Sequence, residues 1–187
     1  MSRSRAAKKD RRGVQTLPTL VREYRETHAL RLERLLTFYR DQGSLEAALT
    51  AAGLALDYDG RTHPHQYLVP PTSRKLAAHV FLRHRKKIST CESFDDLKTV
   101  VREITADIPR FGELATYDAT LRIGSYVGVY PRRVYLHAGA KKGASHVLKD
   151  CNTPVVRPDQ FPPPIDTLRP WEIEDFLCIN EDKLKAQ

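Results

Sequence analysis

The segment IPRFGELATYDATLRIG (108–124) carries a carboxylate, Asp118, in a helical run where Leu114, Leu121 and Ser125 share its row. A carboxylate on a mostly apolar strip is a candidate general base, or a negative charge placed to stabilise a cation that develops during a reaction. It also has an ordinary use, since Arg122 follows four positions on and would pair with it. His137, in RVYLHAG, is the second candidate catalytic residue, because an imidazole exchanges protons near neutral pH. Glu113 reads as a first-turn acid that favours a helix N-terminus, and Glu174 and Asp175 read more readily as a solvated first turn than as acids entering a pocket from the closing helix. His63 and His65 flank Pro64 without further nearby ligands, so no metal or other cofactor is implied.

Just ahead of Asp118, Ile108-Pro109-Arg110-Phe111-Gly112 forms a turn between two helical runs. A glycine there lets the main chain approach a ligand closely, and the free N–H groups opening the next helix suit a phosphate. Helix, turn and helix over about 94–128 make a helix-hairpin-helix pattern, a unit that positions nucleic acid without reading sequence. Arg110, Phe111 and Gly112 would supply one contact to a DNA backbone, joined by Arg132 and Arg133. Lys141, Lys142 and Gly143 in HAGAKKGA would supply a second clamp. Tyr117 and Tyr135 are the candidates to line a pocket for an extruded base, with Trp171 a third aromatic.

The composition agrees with such a partner. The 187 residues hold 31 Lys and Arg against 23 Asp and Glu, a net charge of +8, which makes a polyanion the first ligand to consider. That length fits one domain and excludes two independent catalytic ones. No stretch has the apolar length of a membrane span and the start, MSRSRAAKKDRRG, lacks the apolar core of a secretory signal, so a cytoplasmic protein is expected. Cys91, Cys151 and Cys178 are too widely spaced for a disulfide framework or a zinc knuckle.

The elements that must position these groups follow from periodicity. A basic arm, 1–15, has almost no large apolar residues and is expected to be disordered. From Thr16, Leu20, Tyr24, His28, Leu32, Leu35, Leu36 and Tyr39 recur at three- and four-residue steps and predict one helix ending before Gly43. Ser44 caps a short helix that stops at Gly53. Residues 57–71, with a turn at Asp59-Gly60, read as a long loop that would line a pocket, and Thr72 opens the next helix. Ser93 with Asp96 forms a capping box ahead of an apolar face on Phe94, Leu97, Val101 and Ile104. The helix bearing Asp118 runs from Leu114 to about Gly128. A short helix, a turn and another helix are predicted over 131–150, then a proline-rich connection over 154–170 and a closing helix over 170–179. Nothing alternates at period two, so the expected fold is all-α, one helical domain over 16–187.

The hairpin resembles that of the helix-hairpin-helix DNA glycosylases, which reads roughly L-P-G-V-G before a helix: Ile108, Pro109, Phe111 and Gly112 match in order, and Arg110 replaces the first glycine. The resemblance covers 94–143. It implies a helical enzyme that flips a nucleotide and hydrolyses the N-glycosidic bond. Leu114 stands where bifunctional members carry lysine, so the resemblance implies no amine-mediated lyase step, and Leu136 or His137 stands near the family's aspartate. Its iron–sulfur version needs four cysteines and the chain has three. The segments YDATLRIG, RVYLHAG and WEIEDFLC also resemble a small group of bacterial proteins that includes defence glycosylases removing modified cytosine from phage DNA.

The expectation is therefore a monofunctional DNA glycosylase that excises a modified or damaged base and leaves an abasic site. Asp118 would stabilise the cationic sugar or direct water, with His137 assisting. A non-catalytic DNA- or RNA-binding module would use the same basic residues without the chemistry, and a helical adaptor for an acidic protein would bind with shallow salt dependence.

Overall fold

The computed structural model describes residues 15–185, so all of the expected basic arm except Gln15 lies outside the described residues. The chain is mostly helical. In order come α1 (Leu17–Glu26), α2 (His28–Arg40), α3 (Leu45–Leu54), α4 (Pro71–Arg83), α5 (Arg85–Ser89), α6 (Phe94–Thr105), α7 (Glu113–Val127), β1 (Val134–Tyr135), α8 (Ala138–Ser145), β2 (Val155–Val156), α9 (Pro170–Ile179) and α10 (Glu181–Leu184).

Local chemistry explains many of the ends. Ser44 Oγ accepts the Ala47 N–H at 3.1 Å, and Ser93 Oγ accepts that of Asp96 at 3.1 Å, so both predicted N-caps form. Gly128, with φ +82°, ends α7 in the left-handed region that glycine adopts without strain. Pro170 occupies the first turn of α9, where its missing N–H costs no hydrogen bond. Replacing Ser93 by alanine is expected to lower stability by about 1 kcal/mol, read as a melting-temperature drop of roughly 2–4 °C.

Several expectations are corrected. The single helix from Thr16 breaks at Thr27, whose φ and ψ of −129° and −70° are not helical and whose hydroxyl bonds back to the Glu23 carbonyl at 2.6 Å. Gly53 does not stop α3: it lies inside the helix, and a Cβ there would sit 2.3 Å from the Ala78 backbone. It is the point of closest approach between α3 and α4, and the left-handed C-cap falls at Ala55. The region around 134–135 is a strand rather than a helix, paired antiparallel with Val155–Val156 inside the proline-rich connection. The all-α reading is thus exceeded by one two-stranded ribbon.

The unit around 94–128 is helix, turn and helix, but no helix-hairpin-helix motif is identifiable in it. The left-handed residue of the turn is Arg110, with φ +60°, and Gly112 has extended backbone. Phe111 turns inward and meets the Phe81 ring edge-on at 6.3 Å. Glu113 occupies the first helical position and pairs with Lys98, so the helix N-terminus faces a carboxylate.

Two apolar cores meet along a seam. One gathers α1, α8, α9 and the ribbon around Tyr24, Val134, Ile173 and Phe176. The other gathers α2, α3, α4, α6 and α7 around Tyr39, Leu49, Phe81 and Ile123. Between them Leu36, Phe94, Tyr117, Leu121 and Tyr135 form a third cluster, flanked by Leu32, Tyr130 and Trp171. No described helix is long and apolar enough to cross a membrane.

Candidate active-site cleft

A cleft of about 320 Å³ opens on this seam. On α7, Tyr117, Asp118, Leu121 and Arg122 face it; on α9, Trp171, Glu174 and Asp175 do, at the three- and four-residue spacing that aligns side chains on one helix face. From α2 come His28, Arg31 and Leu32, and the loop after α3 supplies Asp57, Tyr58, His63 and Pro64. That loop is held by its backbone: Leu56 bridges Thr62, the His63 N–H bonds the Ala55 carbonyl at 2.8 Å, and Asp57 Oδ1 accepts the N–H groups of Asp59 and Arg61 at 2.9 Å each. Tyr39, buried in the second core, donates to the Leu56 carbonyl and Arg74 to the Thr62 hydroxyl.

Asp118 is 15% exposed as a side chain and takes two donors on Oδ2, the Gln66 amide at 2.6 Å and Arg122 at 3.5 Å. The helical ion pair expected from spacing therefore exists, but it is long, and the shorter bond comes from a residue 52 positions away. Arg122 is only 4% exposed, so its charge depends on Asp118. Asp175 accepts the Tyr24 hydroxyl at 2.9 Å. Glu174 is half-buried with its carboxyl near both. Desolvation first, then the charges of Asp118 and Asp175, push the Glu174 carboxyl well above the usual carboxylate range. Three acids in one cleft are thus unlike in surroundings.

Two buried donors at the cleft, the Tyr117 hydroxyl and the Trp171 indole N–H, have no hydrogen-bond partner among the described residues. Leaving such a group unpaired costs about 1–3 kcal/mol, which a bound polar ligand can recover. Tyr117 is 1% exposed, and burial raises its phenol far above the ordinary value, with Glu174, Asp118 and Asp175 adding to it. It is a proton donor throughout the neutral range. At the rim Arg34 lies over the Tyr58 ring at 3.9 Å, and Arg169 over Trp171 at 4.9 Å.

His137 faces elsewhere. It precedes α8 and opens on a second cleft, of about 540 Å³, with Lys98, Arg102, Glu113, Arg133 and Tyr135. Burial first and then Lys98 hold its imidazole below the usual range. Its ring meets that of Tyr117 at 4.8 Å, so Tyr117 touches His137 while lining the cleft of Asp118. The two expected catalytic residues are not brought into one site.

The remaining expected contacts are dispersed. Tyr135 is 5% exposed, its ring tilted against those of Phe94 and Tyr117 and stacked with that of His137, with its hydroxyl on Asp95. Arg133 pairs with the same Asp95 at 2.7 Å, and Lys142 with Glu181 at 3.4 Å. Arg110, Arg132 and Lys141 are exposed, and none of the expected DNA-contacting residues lines the Asp118 cleft. The turn expected at 141–143 is corrected: these residues lie inside α8, and Gly143 is buried against the Leu177 backbone.

Glu174 was obscured in the sequence because it reads as a first-turn acid of the closing helix, whereas it is the fifth residue of α9. The acid that serves the helix start is instead Glu172, which accepts the Arg169 N–H at 2.8 Å. The signal for Glu174 is its stripe with Trp171, Asp175 and Cys178, carboxylates beside an aromatic and a thiol. Gln66 has no such signal. Among the described residues no group of three or more His, Cys, Asp and Glu is placed to hold a metal ion. Comparison with protein-family models, curated proteins and solved structures returns no match to the chain.

Proposed function

We propose that the protein is a DNA glycosylase that hydrolyses the N-glycosidic bond of a modified or damaged base and leaves an abasic site. The observation that carries this reading is Asp118, a carboxylate held by Gln66 and Arg122 in a cleft whose aromatic members, Tyr117 and Trp171, keep unpaired donors. Cleaving a glycosidic bond builds positive charge on the sugar and requires an activated water, and one positioned carboxylate serves both needs. The cleft volume lies within the roughly 300–1,000 Å³ of small-molecule sites, and the unpaired donors would meet the polar edge of an extruded base. Arg31 and Arg34, both exposed on α2, would meet flanking phosphates, in keeping with the net charge of +8.

The substrate class proposed is a modified base, with the modified cytosine of phage DNA the member to test first, in a role in antiviral defence. A non-catalytic binding module is the second reading, favoured by the exposed Arg110, Arg132 and Lys141 away from the cleft. One experiment separates them. The protein is incubated with unmodified, uracil-containing, alkylated and phage-modified DNA, and each sample is then heated in alkali. Alkali-dependent breaks in one substrate are expected; tight, salt-sensitive binding with no breaks in any would establish the binding module instead.

A further inference from the structure

Within the proposed glycosylase, on which this step rests, we infer that Glu174 is the general acid that protonates the departing base. Glu174 lies on the cleft-facing side of α9, one residue before Asp175, which is engaged by Tyr24. Across the cleft Asp118 is engaged by Gln66 and Arg122. Neither a hydrogen bond nor an ion pair engages the Glu174 carboxyl among the described residues. An unengaged carboxyl beside two acids that are already held by donors is the one free to give a proton to a ligand.

The groups facing it set which form it takes. From α7 come Asp118, Tyr117 and Arg122, and from α9 Asp175 and Cys178. From α2 come His28 and Arg31, and from the loop Asp57, Tyr58 and His63. Burial first, and then the charges of Asp118 and Asp175, favour the neutral acid well above the usual carboxylate range. One carboxyl placed to give a proton and a second placed to take one, on either side of the bond, is the pairing that many glycoside hydrolases use.

Glu174 gives its proton to a ring nitrogen or carbonyl oxygen of the base, and the electron pair of the C1′–N bond leaves with that base. A water oxygen adds to C1′ of the cationic sugar and passes its proton to Asp118. Glu174 is left ionised and Asp118 protonated, and exchange with solvent restores both. Water is consumed, and the free base and an abasic sugar are formed.

The test is Glu174→Gln in the full chain, with single-turnover base release followed from about pH 5 to about pH 9 on the DNA that the alkali assay identifies. Wild type should lose rate on the alkaline side as Glu174 ionises. The variant should be slower by roughly 10²–10⁴-fold and lack that alkaline limb. A second readout needs no activity. A carboxyl whose folded-state pKa lies above its unfolded value holds its proton more tightly when folded, so stability falls as pH rises between the two values. Glu174→Gln removes that loss: its melting temperature should exceed that of wild type at alkaline pH and equal it under acid conditions. Release within about twofold of wild type, or an alkaline limb that persists in the variant, overturns the acid role while the glycosylase reading stands. Wild type that releases no base from any DNA overturns both. Should Glu174→Gln not fold, Glu174→Asp carries the test, since it keeps a donor and should be slower yet retain the alkaline limb; loss of that limb would overturn the proposal.

Discussion

Asp118→Asn is expected to slow base release by roughly 10²–10³-fold, because the amide neither stabilises a cationic sugar nor takes a proton from water. The same substitution disturbs the fold, and the two effects must be separated. Arg122 is 4% exposed and has Asp118 as its ion-pair partner, so neutralising Asp118 strands a buried guanidinium. Asparagine still accepts the Gln66 bond, which limits the loss to about 1–3 kcal/mol, below that of a fully severed buried pair. The double variant Asp118→Asn with Arg122→Gln removes both charges and should recover most of that stability. Its rate should stay as low as that of the single variant. Thermal melting and single-turnover release measured on all three proteins form the check. Recovery of both stability and rate in the double variant would show that Asp118 is an ion-pair residue and that the chemistry lies elsewhere.

What the sequence revealed of this site follows the reach of local rules. Asp118 stood out because a charge on an apolar helical strip is detectable over four residues, and the loop over 57–71 stood out by its turn chemistry and length. Both line the same cleft. Ser44 and Ser93 were legible as caps for the same reason, since the donor each serves lies three residues on. Contacts across the chain had no such trace. Gln66 reaches Asp118 over 52 positions and Tyr24 reaches Asp175 over 151, and neither spacing has a periodic signature. The ribbon was missed because two-residue strands are too short to alternate. His137 was read as a partner of Asp118, whereas Tyr117 stands against it and it opens on the other cleft. Glycine was the most ambiguous residue of all. Gly128 ends its helix as expected, with a positive φ, while Gly53 and Gly143 lie inside helices and mark where two backbones touch.

Gly143→Ala is the stability prediction with the largest effect. A Cβ at this position would lie 2.2 Å from the Leu177 carbonyl oxygen, 2.8 Å from its carbon and 3.1 Å from its Cα. These are backbone atoms in the last turn of α9, and no rotamer change relieves the overlap. Alanine is otherwise favoured inside a helix by about 1 kcal/mol, so the clash must outweigh that gain and force α8 away from α9. A net loss of about 3 kcal/mol is expected, a melting-temperature drop of roughly 6–12 °C. Gly139→Ala should cost less, because its Cβ would meet Cys178 Sγ at 2.8 Å, and the sulfur of an unbridged cysteine can rotate aside. The consequence reaches the cleft, since Leu177 follows Glu174 and Asp175 on the same helix and a displaced α9 moves both carboxyls relative to Asp118. A glycine that served a phosphate would respond in the opposite way, with weaker DNA binding and an unchanged melting curve. Urea unfolding and DNA affinity measured together on Gly143→Ala decide between the two, and the 2.2 Å contact with Leu177 requires the first.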